Sequence, residues 1–118
     1  MHEKCTIFRT TDFIGKKWTL LILFELYKGE RIKRHSDLKK ALPKITPKIL
    51  STRLKELEHE GLIKKRIDTT EFPIKTFYSL TPPGKDFFKV IQEIKQWSLK
   101  WKVKNKTCEN SNCEECTL

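Results

Sequence analysis

The chain has 118 residues, with 25 lysines and arginines against 15 acidic residues, a formal net charge of +10. A chain of this length buries roughly 65% of the surface its unfolded form exposes, enough for one core and too little for two. Its most apolar stretch, residues 20–24, is far shorter than the roughly 20 residues of a membrane span, and neither a signal-peptide layout, a glycine-rich phosphate loop nor a nucleophile elbow occurs, so the sequence predicts a cytoplasmic protein that is not an enzyme.

The charge is uneven: three of the acids lie in residues 108–118, which leaves 25 basic against 12 acidic residues, a net +13, in residues 1–107. Such a field attracts polyanions, and nucleic acid is the polyanion that matches a basic surface on a groove-sized helix. The sequence predicts no membrane partner, because a membrane surface calls for a basic amphipathic helix with lipid-facing aromatics.

In chain order, residues 11–27 predict a helix, in one piece or two, ended by Lys28-Gly29. Its middle is apolar on every side, so one face is expected on the core and another against a partner chain, or else the helix is the centre of a monomer. Residues 30–34 are a loop or short edge strand. Ser36 is the expected N-cap of a brief helix over 37–42, stopped by Pro43. Thr46 is expected to cap the next helix, with Pro47 at its first position, where a missing N–H is harmless. This helix runs to about residue 60, with Ile49, Leu50, Leu54 and Leu57 toward the core and Gly61 as a left-handed terminator. Two helices joined by a four-residue turn make a helix-turn-helix.

Residues 62–67 and 74–80 are strands around a polar turn over 68–73, a wing. Thr81 should cap a last helix beginning at Pro82-Pro83 and reaching about residue 104, with an apolar stripe from Phe87 to Trp101. Its distal half is expected to be a dimer contact anchored by Trp97 and Trp101, with Trp18, Leu21 and Ile94 in the same interface, or alternatively to fold back on its own core.

On the helix from Thr46, residues Lys48, Ser51, Thr52 and Lys55 point away from the apolar stripe and are the expected DNA contacts. Its N-terminal end at Thr46 and Pro47 suits a phosphate. In the wing, Thr69, Thr70 and Lys75 would touch phosphate or minor groove, and Arg66 would hold the strand base to the backbone; Arg53 adds positive charge. The same residues also suit an ordinary solvated face and a plain charged hairpin.

Cys5, beside Lys4 and close to Arg9, is a candidate oxidant or electrophile sensor, or else a small buried hydrophobe. Cys108, Cys113 and Cys116 fall one ligand short of a tetrathiolate zinc site, which Cys5, a histidine or a second protomer's tail would complete. Iron–sulfur ligation or a redox-active pair is equally open, and the leading expectation, from the polar residues 109–112, is a disordered tail with incidental thiols. No other cofactor is expected, and His2, His35 and His59 form no ligand pair.

Several separated motifs resemble one family. These are Cys5, then Ile14-Gly15-Lys16-Lys17-Trp18 with Thr19-Leu20-Leu21-Ile22-Leu23, Ser36-Asp37-Leu38, the run from Leu50 to Leu57 into Gly61-Leu62, and Pro73 with Tyr78-Ser79-Leu80-Thr81 and Gly84. In these the chain is similar to the HxlR-type winged helix-turn-helix regulators over residues 5–101. The resemblance implies an α+β, mostly α fold with N- and C-terminal dimerisation helices, a homodimer on double-stranded DNA, and control of genes by a chemical signal, more often as repressor than activator. A cysteine at the place of Cys5 serves sensing in some members. His35 stands where an aromatic is usual, and the extension from Cys108 to Cys116 lies outside the pattern. The expected organisation is a DNA-binding domain with dimerisation helices over 1–107 and a cysteine-containing tail over 108–118. The competing reading is a winged-helix adaptor that binds protein or RNA without operator specificity.

Overall fold

The computed structural model describes residues 3–115. Helices α1 (Thr6–Ile14) and α2 (Thr19–Tyr27) are separate, so residues 11–27 hold two pieces and not one. Gly15 caps the end of α1, and Trp18 is the N-cap of α2, its φ of 81° a left-handed conformation a bulky residue adopts only when its surroundings hold it there. The ring packs partly against the core, with the Lys17 ammonium 5.4 Å from its centroid.

Strand β1 (Lys33–Arg34) leads directly into α3 (His35–Ala41). Ser36 is therefore inside the first turn, and Arg34 is the N-cap, its N–H donating to Asp37 Oδ2 at 2.9 Å. Helix α4 (Pro47–His59) begins where the sequence puts it: Thr46 Oγ1 accepts the Ile49 N–H at 3.2 Å, and Pro47 fills N1. Gly61 adopts φ +81°, which lets the chain turn into β2 (Ile63–Asp68).

Strand β3 (Lys75–Leu80) pairs antiparallel with β2, from Ile63 opposite Leu80 to Asp68 opposite Lys75, and on its other edge with β1. The sheet order is β1-β3-β2, a small sheet whose long hairpin forms the wing. The last helix is also divided, into α5 (Pro82–Asp86) and α6 (Phe88–Trp101), and it stops three residues before the expected end. Thr81 caps α5, accepting the Gly84 N–H at 3.3 Å. The core joins Ile22, Leu23, Leu26 and Tyr27 of α2 to Leu38, Ile45, Leu50, Leu54, Leu57, Leu62, Ile63 and Leu80.

One junction locks the wing to this core. Thr81 Oγ1 donates to the Gly61 carbonyl at 2.5 Å, the Thr81 N–H donates to the Leu62 carbonyl at 3.1 Å, and the buried Tyr27 hydroxyl donates to the Gly84 carbonyl. Gly84 is required here, because a Cβ would lie 2.0 Å from the Leu62 carbonyl oxygen. Burial pushes the Tyr27 hydroxyl up to about 12, with Asp86 adding to the effect.

Beyond α6 the chain turns back. Helix α7 (Lys106–Glu109), capped by Asn105, and a single 3₁₀ turn (Cys113–Glu115) lie against α2 and α6. The Gly29 N–H donates to the Glu114 carbonyl at 2.9 Å, Arg31 pairs with the Glu114 carboxylate at 2.7 Å, and Lys95 Nζ donates to the Ser111 carbonyl at 3.0 Å. The stretch that reads as flexible from its polar residues is thus tied down in residues 105–115. Its anchors, Gly29, Arg31 and Lys95, lie far off in sequence.

Candidate nucleic-acid interface

Helix α4 buries Leu50, Leu54 and Leu57, with Ile49 half-buried beside them. The opposite face carries Lys48, Thr52 and Lys55, all exposed, and Thr46 and Pro47 are exposed at its N-terminal end. Among the described residues neither Lys48 nor Lys55 has a carboxylate within ion-pair distance. The four expected contacts do share one side of α4, but they are not equivalent. Thr52 Oγ1 donates back to the Lys48 carbonyl at 3.0 Å. Ser51 is half-buried, its Oγ 3.1 Å from Nε2 of His35.

That histidine was legible only as a departure from the family pattern. In the fold it joins α3 to α4, its ring nitrogen meeting the Ser51 hydroxyl at the base of the exposed row. Arg53 is a second residue whose role differs from its sequence reading. Its Nε donates to the Lys17 carbonyl at 3.1 Å, and its guanidinium pairs with Glu56 at 2.6 Å. Lys16 pairs with the same carboxylate, and this hydrogen bond, with Arg53, holds Glu56 below the usual carboxylate range. Arg53 therefore braces the α1–α2 corner against α4 and does not present its charge to solvent.

In the wing, Lys64, Lys65 and Arg66 are exposed along β2, and the Arg66 guanidinium lies 4.9 Å from the Phe77 ring centroid. Lys75 stands across from Asp68 in the register. The Asp68 carboxylate accepts the Thr70 N–H at 3.0 Å and the Thr70 hydroxyl at 2.6 Å, and these bonds lower its pKa. Thr70 thus builds the turn, while Thr69 is exposed on it. Each strand has six residues, so the hairpin extends about 20 Å at roughly 3.3 Å per residue, carrying its tip well clear of the core.

The remaining expected site residues lie elsewhere. Cys5 is the N-cap of α1, partly buried. Cys108 and Cys113 both line an apolar cavity of about 520 Å³ between α2, α6 and the C-terminal segment; Cys116 is outside the described residues. Among the described residues no group of three or more potential ligands is placed to hold a metal ion. Leu21, Val90, Ile94, Trp97 and Trp101 are exposed, the last four following one face of α6. Trp18 instead turns partly into its own core. No helix among the described residues is long and apolar enough to cross a membrane.

Residues 13–106 match the family described as HxlR-like helix-turn-helix. The HTH-type transcriptional regulator YvaP of Bacillus subtilis is 39% identical over 100 residues, covering 84% of this chain and 90% of that protein. A MarR-family transcriptional regulator from Porphyromonas gingivalis W83 superposes with a TM-score of 0.76 at 38% identity, covering 86% of this chain and 96% of that one. The reduced form of YodB from Bacillus subtilis gives a TM-score of 0.72 at 30% identity, over 86% and 97% of the two chains. An exposed basic helix face, a wing locked beside it and these likenesses have one meaning: the chain belongs to the HxlR-like family of winged helix-turn-helix transcriptional regulators.

Proposed function

We propose that the protein is a homodimeric, sequence-specific binder of double-stranded DNA that acts as a repressor. Each copy inserts α4 into a major groove and lays its wing on the flanking backbone. The observation that carries this reading is the exposed row Lys48, Thr52 and Lys55 on the face of α4 opposite its buried leucines. Lys48 and Lys55 would pair with guanine edges, Ser51 and Thr52 with bases of either kind, and the N–H groups following Thr46 and Pro47 with a phosphate. Arg66, Thr69, Thr70 and Lys75 would position the wing on the backbone. The unit that does this is residues 1–107, with residues 108–118 as a tail.

Dimerisation is supported by the exposed apolar face of α6, since Val90, Ile94, Trp97 and Trp101 lie at helical spacing and are left uncovered in one copy. With Leu21 and the flank of Trp18 they would form the contact between protomers. Cys5 would be the signal input: its thiolate adds to an electrophile, or an added oxidant such as diamide takes it and a second thiol to a disulfide while itself being reduced, and release from DNA follows. YodB has been solved in reduced, diamide-treated and quinone-bound forms, and the redox regulator HypR in reduced and oxidised forms, which makes a thiol input a reasonable one to test here.

Two variants test the division of labour. Lys48→Ala should relax sequence preference at one base position, at a cost of about 1–3 kcal/mol on the preferred duplex. Lys75→Ala should weaken specific and random duplexes alike and lower the salt slope by about one. Equal effects of both variants on both duplexes would contradict the assignment. For the signal, Cys5→Ser should stay on DNA when diamide is added; release matching that of the wild type would remove Cys5 from the role.

A further inference from the structure

The wing ends in a side chain that neither the core nor the basic rows account for. Phe72 is 95% exposed, and the apolar residues nearest it along the hairpin, Ile67 and Ile74, are 55% and 56% exposed. Single exposed hydrophobes are ordinary, but an almost fully exposed phenyl ring at the tip of a projecting hairpin is not a packing residue. The polar groups around it are otherwise engaged. Asp68 and Thr70 bond to each other and shape the turn, and the basic residues Lys64, Lys65, Arg66 and Lys75 sit along the ribbon below the tip.

We infer that Phe72 enters the minor groove beside the half-site read by α4 and packs against the deoxyribose walls. The inference rests on the proposed DNA-binding reading. Its physical basis is the order of chemistry along the hairpin, with cationic side chains on the stem and an exposed phenyl ring in the polar turn at its tip. Two rows of phosphates line a minor groove only about 6 Å wide, and between them the groove walls are sugar carbons. A ribbon with bases on its stem meets the phosphates, and the ring beyond them reaches the sugars. Other minor-groove binders also place apolar side chains in that groove, there as wedges between base steps. The contact is non-ionic, so it adds affinity without adding salt dependence.

The test compares wild type, Phe72→Ala and Phe72→Leu on a duplex selected for tight binding. Because the ring is exposed, the fold is not at stake in either variant. Phe72→Ala should lose roughly tenfold in affinity, the scale of one aromatic ring removed from an apolar contact. Its slope of log affinity against log salt should equal that of the wild type, whereas Lys75→Ala lowers the slope. Phe72→Leu should recover most of the loss. Hydroxyl-radical cleavage, which reads sugar exposure in the minor groove, should show a protected patch flanking each half-site that Phe72→Ala lacks. A wild type that prefers the selected duplex while Phe72→Ala matches it in affinity and footprint overturns this inference alone. A wild type with no preference for any duplex overturns the DNA-binding reading and this inference with it.

Discussion

Tyr27 and Gly84 carry more of the fold than their positions in the sequence suggest. The Tyr27 hydroxyl donates to the Gly84 carbonyl in a buried setting, and the absent side chain of Gly84 lets Leu62 approach. Gly84→Ala should therefore destabilise the protein by about 3 kcal/mol or more through backbone overlap, measured by urea unfolding. A cost below about 0.5 kcal/mol would mean that α5 can shift away from the wing without penalty. Tyr27 also sets a pH dependence. Its pKa rises from 10.0 unfolded to about 12 folded, so the stabilisation is complete below pH 10 and is lost as pH climbs toward 12. Tyr27→Phe should be less stable at neutral pH by about 1–3 kcal/mol, and the gap to wild type should narrow across that alkaline window. A constant gap across the window would contradict the burial of the hydroxyl.

At the scale of elements, local signals explain why some boundaries were readable and others not. Thr46-Pro47, Gly61 and Thr81-Pro82 fix their elements by short-range chemistry, a cap, a positive φ and a ring-locked φ, and the structure places each at its expected position. The breaks at Trp18 and Phe87 were not readable, because they depend on packing against residues far away in sequence. The same holds at the candidate site. The row Lys48, Ser51, Thr52 and Lys55 follows from helical periodicity alone, yet the ties of Ser51 to His35 and of Arg53 to Lys17 and Glu56 span 16 and 36 residues or lie a turn away. Arg53 is the element-scale test. Arg53→Met should loosen the α1–α2 corner at a cost of about 1 kcal/mol in stability. It should also leave the salt slope of DNA binding unchanged, because the guanidinium is turned inward. A salt slope lower by about one would return Arg53 to the DNA surface.

For the whole molecule, the Cα radius of gyration is 15.4 Å, against about 13.5 Å for a compact chain of this length. The excess fits a small core with projecting parts, the wing and the distal half of α6. Those are the parts whose exposed residues have no use in an isolated copy: the phenyl ring of Phe72 on one, Trp97 and Trp101 on the other. Replacing Trp97 and Trp101 together by serine should give a folded monomer in sedimentation equilibrium, with DNA affinity reduced by at least a hundredfold through loss of the second half-site. A double variant that still sediments as a dimer would move the interface elsewhere.

The central claim, that two copies set their α4 helices in successive major grooves of one duplex, is tested most directly by selecting bound sequences from a random pool of double-stranded DNA with the wild-type protein. The account predicts a two-fold symmetric motif whose half-sites are centred about 10 base pairs, or roughly 34 Å, apart. Enrichment of a single asymmetric site, or of no sequence at all, would contradict it.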